Sequence, residues 1–348
     1  MWKYTVKILP AALFIFIVFL TGCIEPAHRL SKGLPDANDL IVFATAAPDN
    51  ILVYSVQKAK MEHTLPADIR LNSMVIDKAG KLAYVATKNG WLNVFNLQRG
   101  DREARVRVGT ILQSLALSSD GQYLAVGVGN EEDYNAHDIS IRRTDNINDE
   151  IMLVNVGGDI QDLVANPAKQ EFYIVNTSAD KVRIFNFDQN ELVGIIPLGG
   201  SPSMMVVSPD GKKIYATLNA QSSVAVIDVE TRSNLLRYDL PGTAPHYLAF
   251  SQDGSKVVVS DRDSARVFFI DNVNDTLLGY KPFPDYLVQK INPEIIEFSS
   301  NAEYLYIISS RQTDLMVVDI RTMHLAQTYN LPKRPTAMQV IWGSTKQG

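Results

Sequence analysis

Between positions 40 and 343 the chain is a succession of short apolar runs broken by turn residues. The stretch Ile214-Tyr-Ala-Thr-Leu-Asn-Ala-Gln-Ser-Ser-Val-Ala-Val-Ile-Asp228 aligns without gaps on Phe172-Tyr-Ile-Val-Asn-Thr-Ser-Ala-Asp-Lys-Val-Arg-Ile-Phe-Asn186. The same unit starts at Ile41, Ala83, Leu124, Phe172, Ile214, Val257 and Leu305, giving seven copies at intervals of 42, 41, 48, 42, 43 and 48 residues. A period of this size marks supersecondary units that bury their apolar surface only by stacking on one another. Each copy predicts four strands; in the fifth they fall at 214–218, 223–228, 235–240 and 247–251. The fourth strand runs into the next copy through Ala79-Gly80, Asp120-Gly121, Asp210-Gly211 or Asp253-Gly254, pairs suited to the positive φ of tight hairpin turns.

Several of these strands, such as Ser223-Val-Ala-Val-Ile-Asp228 and Leu315-Met-Val-Val-Asp319, are apolar on both faces. A sheet with one wet face alternates polar and apolar residues, so these sheets need cover on both sides. Radial stacking supplies it, and a closed ring leaves only short edges. The expected fold is an all-β, seven-bladed β-propeller of four-stranded blades. The first copy begins at what would be a second strand, and the chain ends with 336–342 in the pattern of an innermost one. One blade is therefore shared, and pairing of the N- and C-terminal strands closes the ring.

The residues Ser208-Pro-Asp-Gly-Lys-Lys-Ile-Tyr-Ala-Thr217, followed by Ser223-Val-Ala-Val-Ile-Asp-Val-Glu-Thr231, resemble the YVTN-type β-propeller repeat, and the likeness extends over residues 40–343. That superfamily includes the haem-binding propeller of cytochrome nitrite reductases, lactonases acting on sugar lactones, quinoprotein dehydrogenase subunits and extracytoplasmic binding proteins. The resemblance implies the fold; it assigns no reaction, because one such fold hosts many chemistries.

At the N-terminus Lys3 and Lys7 precede an apolar run over 8–20, which closes on Leu20-Thr21-Gly22-Cys23. A charged start, a short apolar core and small residues before a cleavage point describe a secretory signal, since a membrane span needs about 20 apolar residues. The tetrapeptide resembles the lipobox of bacterial lipoproteins, which implies acylation of Cys23 as the first residue of the mature protein. The expected organisation is a signal peptide over 1–22, a lipidated Cys and tether over 23–39, the propeller over 40–343 and a tail over 344–348. The membrane is then a partner through the N-terminal lipid, and the domain is extracytoplasmic. In a Gram-negative host, Ile24 in place of Asp implies the outer membrane.

Composition narrows the functional classes. Cys23 is the only cysteine, which excludes disulfides, thiolate-rich zinc sites and c-type haem attachment in the domain. The net charge of −5, from 33 basic and 38 acidic residues without a basic stripe, excludes a broad nucleic-acid surface. No phosphate-binding loop, zinc motif or nucleophile elbow occurs. The expectation is a binding or scaffold module for an envelope protein or a small ligand. The alternative is a cofactor-handling or enzymatic propeller, haem-binding or lactonase-like, working at the mouth of the central channel. The sequence names no cofactor, catalytic residue or metal ligand.

Two features point to one face. The long intervals come from insertions over 129–137 and 282–293, in loops that open on the same rim, where Tyr134, His137, Asp285 and Tyr286 are candidate contacts. Aligning the starts of the innermost strands gives Asn72, Gln113, Gln161, Ser203, His246, Glu294 and Thr336, one polar residue per blade. These seven are expected to ring the channel mouth, with His246 beside Glu294 on adjacent blades. Polar strand starts also serve simply to satisfy nearby backbone, and that reading stands beside the first.

Overall fold

The computed structural model describes residues 39–45, 49–67, 71–129, 137–240, 243–264, 266–283, 293–309 and 313–342. Cys23, Tyr134, Asp285 and Tyr286, with the signal, tether and tail, lie outside the described residues. The described chain forms seven four-stranded antiparallel sheets. They make a seven-bladed β-propeller. From the channel outward, blade 1 runs Pro335–Ile341, Leu40–Thr45, Asn50–Ser55 and Lys60–Pro66. The inner strands of blades 2 to 7 are Leu71–Ile76, Ile111–Leu117, Asp162–Ala165, Pro202–Val207, Pro245–Phe250 and Pro293–Phe298.

The expected closure is present. Val42 pairs with Gln339 and Phe43 with Met338, so the last strand is hydrogen-bonded beside the first. Gln339 also reaches blade 2, where its Oε1 accepts from the Ile76 amide at 2.9 Å. At the outer margin of the same joint, buried Asp39 accepts from the Tyr306 hydroxyl at 2.7 Å and the Ser300 amide at 3.0 Å, tying blade 1 to blade 7.

Two-sided apolarity has its physical cause in the packing. Buried apolar residues form seven clusters among the described residues, and each joins two neighbouring blades. Along Lys213–Leu218, Ile214, Ala216 and Leu218 pack toward blade 4, whereas Tyr215 packs toward blade 6. The tyrosine recurs at the same place as Tyr84, Tyr173 and Tyr306, all fully buried. A buried phenol hydroxyl needs a partner. Tyr215 donates to Asn272 Oδ1 of blade 6 at 2.9 Å, as Tyr306 does to Asp39 of blade 1. The outermost strands are half-solvated and alternate, as in Thr276–Pro282.

The hairpins on the face opposite the mouth are held by their own side chains. Ser208 Oγ donates to Asp210 Oδ1 at 2.6 Å and accepts from the Lys213 amide at 2.9 Å. Ser118 with Asp120, and Ser251 with Asp253, repeat the arrangement. Gly211 completes this turn at φ 72°, and a Cβ there would lie 2.4 Å from Asn166 Oδ1 and 2.7 Å from Ala168 Cβ. Gly121 has a matching φ of 73° but open space around it. We expect Gly121→Ala to cost about 1 kcal/mol, the left-handed penalty alone, and Gly211→Ala about 2–3 kcal/mol. Urea midpoints of the two variants check the difference; equal costs would mean the blade 4 contact carries no weight.

Candidate functional site at the channel mouth

The inner strands converge on an axial channel whose wider end is a cavity of about 630 Å³. Asn72, Gln161, Ser203, His246, Glu294 and Thr336 line it together, one from each of six blades. At the seventh strand Ser114 lines the cavity instead of Gln113. Gln113 is drawn aside: its Nε2 lies 3.4 Å from Nε2 of His137, a buried residue. The other end of the channel, about 490 Å³ and walled by Val75, Leu117 and Ala165, shares Leu115, Leu163 and Val164 with the mouth.

A backbone irregularity turns these side chains inward. In six blades the inner strand breaks register at the mouth position: Asn72, Glu294 and Thr336 are single extra residues, and Gln113-Ser114, Ser203-Met204 and His246-Tyr247 are pairs opposing one residue. Such bulges bend a strand and re-aim its side chains. Buried hydroxyls of the second strand satisfy the displaced amides. Thr217 Oγ1 accepts from the Met204 amide and Ser260 Oγ from the Tyr247 amide, both at 3.1 Å.

The polar ring divides into two kinds of residue. Asn72 donates to the carbonyls of Leu112 and Gln113, Ser203 bonds to Thr217, and Thr336 donates to the Ala44 carbonyl. These serve the framework. Glu294 is paired with Arg334 at 2.5 Å, a residue just before the last strand that the repeat alignment does not single out. The expected partnership of Glu294 with His246 is thus reduced to a through-space influence. Gln161 and His246 line the cavity, and among the described residues neither side chain makes a hydrogen bond to the framework. Burial, and then the charge of Arg262, hold the His246 imidazole below its ordinary pKa, against the opposing pull of Glu294. At neutral pH it is an uncharged ring with one donor and one acceptor.

Beneath the mouth lie groups that sequence reasoning did not select. Asp162 accepts from the Leu163 amide at 2.8 Å, the Met205 amide at 2.9 Å and the Ser114 hydroxyl at 3.3 Å. Burial nevertheless pushes its carboxyl up to about 6. Glu297 accepts from the Tyr247 hydroxyl at 3.3 Å and is pushed up to about 8 by burial, which that bond offsets only in part. The Tyr247 phenol is raised in turn by burial and by Glu297. Among the described residues, no group of three or more His, Cys, Asp and Glu side chains is arranged to hold a metal ion.

No protein-family model matches the chain, and no curated protein matches it. Solved structures share the propeller. A functionally unknown protein from Desulfotomaculum acetoxidans superimposes with a TM-score of 0.73 at 14% identity, over 87% of this chain and 99% of that one. The periplasmic gluconolactonase PpgL of Pseudomonas aeruginosa gives 0.71 at 16% identity, over 87% and 99%. The dihydro-heme d1 dehydrogenase NirN gives 0.66 at 14% identity, over 88% of this chain, which spans 66% of that protein. These likenesses show the β-propeller fold alone. No helix among the described residues is long and apolar enough to cross a membrane.

Proposed function

We propose that this chain is a lipid-tethered, extracytoplasmic binding propeller that takes a small polar ligand at the mouth of its central channel. The observation that carries the reading is the convergence of mouth side chains from six blades on one preformed cavity of about 630 Å³. That volume is within the range of small-molecule sites, with apolar walls and a few placed polar groups. Gln161 and neutral His246 offer directed donors and acceptors, and the Glu294–Arg334 pair offers both charges.

The chain ends favour the same arrangement. Inner strands start at the mouth and finish on the opposite face, where Leu40 pairs with Ile341. A tether leading back from Leu40 to an acylated Cys23 leaves from that opposite face, so the mouth opens away from the membrane. The periplasmic setting named for PpgL supports the extracytoplasmic reading.

The test is calorimetry of the full chain in detergent with six-carbon polyols. We expect binding at one site, and at least tenfold weakening in the Gln161→Ala, His246→Ala double variant with an unchanged melting midpoint. Equal affinity in the variant would contradict the mouth as the site. A second reading, lactone hydrolysis, is favoured by the uncharged His246 imidazole facing the cavity, which fits a general base. Hydrolysis of glucono-δ-lactone above the solvent rate, lost in His246→Ala, would establish it.

A further inference from the structure

The seven inner strands contain no Lys or Arg, yet they contain the carboxyls Asp162, Glu294 and Glu297. Their shares of neutralisation differ. Glu294 has Arg334 at the rim, and Asp162 has three donors. Glu297 receives one bond among the described residues, from the Tyr247 hydroxyl, and its second carboxyl oxygen receives none. Asp162 lines the mouth cavity, as does Tyr247, whose hydroxyl meets Glu297, and both carboxyl residues are half-buried rather than sealed in a core. The walls between the mouth and this depth are soft and weakly polar: Met74, Met204, Met338 and the Tyr247 ring.

A carboxylate in such surroundings is costly unless a cation faces it. Between Arg334 at the mouth and Lys78 at the opposite end, the inner strands supply no cation of their own, and an aromatic face with thioethers is favourable surrounding for an organic one. We infer that the ligand of this channel bears an alkylammonium end, which descends past the mouth to the Asp162, Tyr247 and Glu297 group. Its polar remainder stays among Gln161, His246 and the Glu294–Arg334 pair. The inference rests on the reading of the mouth as a ligand site and names the ligand's charge.

A proton balance follows. With its carboxyl raised to about 8, Glu297 is largely protonated at pH 7 in the free protein, while Asp162, at about 6, is largely ionised. Seating the ammonium favours the Glu297 carboxylate, so the cation replaces a proton that leaves to solvent. The titratable groups around Glu297 are Tyr247 and His246 from blade 6, Glu294 from its own strand and Asp162 across the channel; the inner strand of blade 1 contributes none. Arg334 and Arg262 stay at the mouth. Between pH 6 and 7 affinity therefore rises about tenfold, with nearly one proton released per cation bound, and the rise flattens toward pH 8 as the free carboxyl ionises by itself.

Three probes of equal length isolate the charge: glucamine, sorbitol and gluconate, six-carbon polyols ending in an ammonium, a hydroxyl and a carboxylate. Calorimetry of the full chain at pH 6.5 and 7.5 is expected to show glucamine at least tenfold tighter than sorbitol, gluconate weakest, and glucamine about tenfold tighter at the higher pH. The heat should vary with buffer ionisation as one released proton requires. Glu297→Gln should abolish both the pH slope and the preference, with circular dichroism confirming the fold; Asp162→Asn should weaken glucamine alone. Sorbitol or gluconate matching glucamine would overturn the inference while leaving the mouth as the ligand site. Binding of none of the three would overturn it together with that reading, and a pH slope that survives Glu297→Gln would overturn the proton exchange and the inference with it.

Discussion

A chain ending at Arg334 is expected to lose cooperative folding altogether. It lacks the strand Pro335–Ile341, so the Leu40–Thr45 strand loses its inner partner and the ring loses its clasp. Met338 leaves the cluster joining blades 7 and 1, and Ala337 and Ile341 leave their places against the cluster joining blades 1 and 2. Truncating a single buried Met typically costs about 2–5 kcal/mol, against a total stability on the order of 5–15 kcal/mol. Losing the strand adds the backbone pairs and the Gln339 bond to Ile76. Thermal unfolding by circular dichroism checks this, with a synthetic 335–342 peptide added in trans. The peptide should restore a cooperative transition, since an open sheet edge accepts a matching strand. A truncated chain melting at the wild-type temperature would show that the blades stand without closure.

The second large effect concerns pH. Glu297 has a folded-state pKa of about 8, above the ordinary 4.5, so the native state holds a proton that the unfolded chain releases. Its contribution is fully present below about pH 4.5 and is lost as pH rises through about 8. The slope is at most about 1.4 kcal/mol per unit; with the channel open to water, the loss across the window is on the order of 2–3 kcal/mol. Asp162 acts in the same direction over a narrower window, ending near 6. Turn carboxylates act oppositely: the Ser251 hydroxyl bond holds Asp253 below its ordinary value, so its contribution is present at neutral pH and lost on acidification. Glu297→Gln should therefore be more stable than wild type at pH 8.5, with little difference at pH 4.5, in urea titrations. A wild-type midpoint at or above the variant's at pH 8.5 would mean that Glu297 is stabilised as a carboxylate.

Ring, blade number and closure were all legible in the sequence because they depend on periodicity. Seven copies fix seven stacked interfaces, and the phase of the first copy against the strand starting near Thr336 forces a shared blade. The site was legible only in outline. Aligning repeats located the strand starts, and six of the seven selected residues face one cavity. Their further roles depend on partners that the alignment does not contain. The bulges arise from pairing register and from hydroxyls such as Thr217 and Ser260 on another strand, and Gln113 turns away because His137 stands beside it. Arg334 escaped notice because it precedes the strand. Asp162 and Glu297 did have a signal: carboxyls on inner strands that contain neither Lys nor Arg.

The central claim is that the mouth holds a ligand in the native setting, and native mass spectrometry tests it most directly. The full chain would be extracted from its own host in mild detergent beside the Gln161→Ala, His246→Ala variant. The account predicts one small-molecule adduct per chain on the wild type and its loss from the variant. The same adduct on both proteins, or none on the wild type, would contradict it.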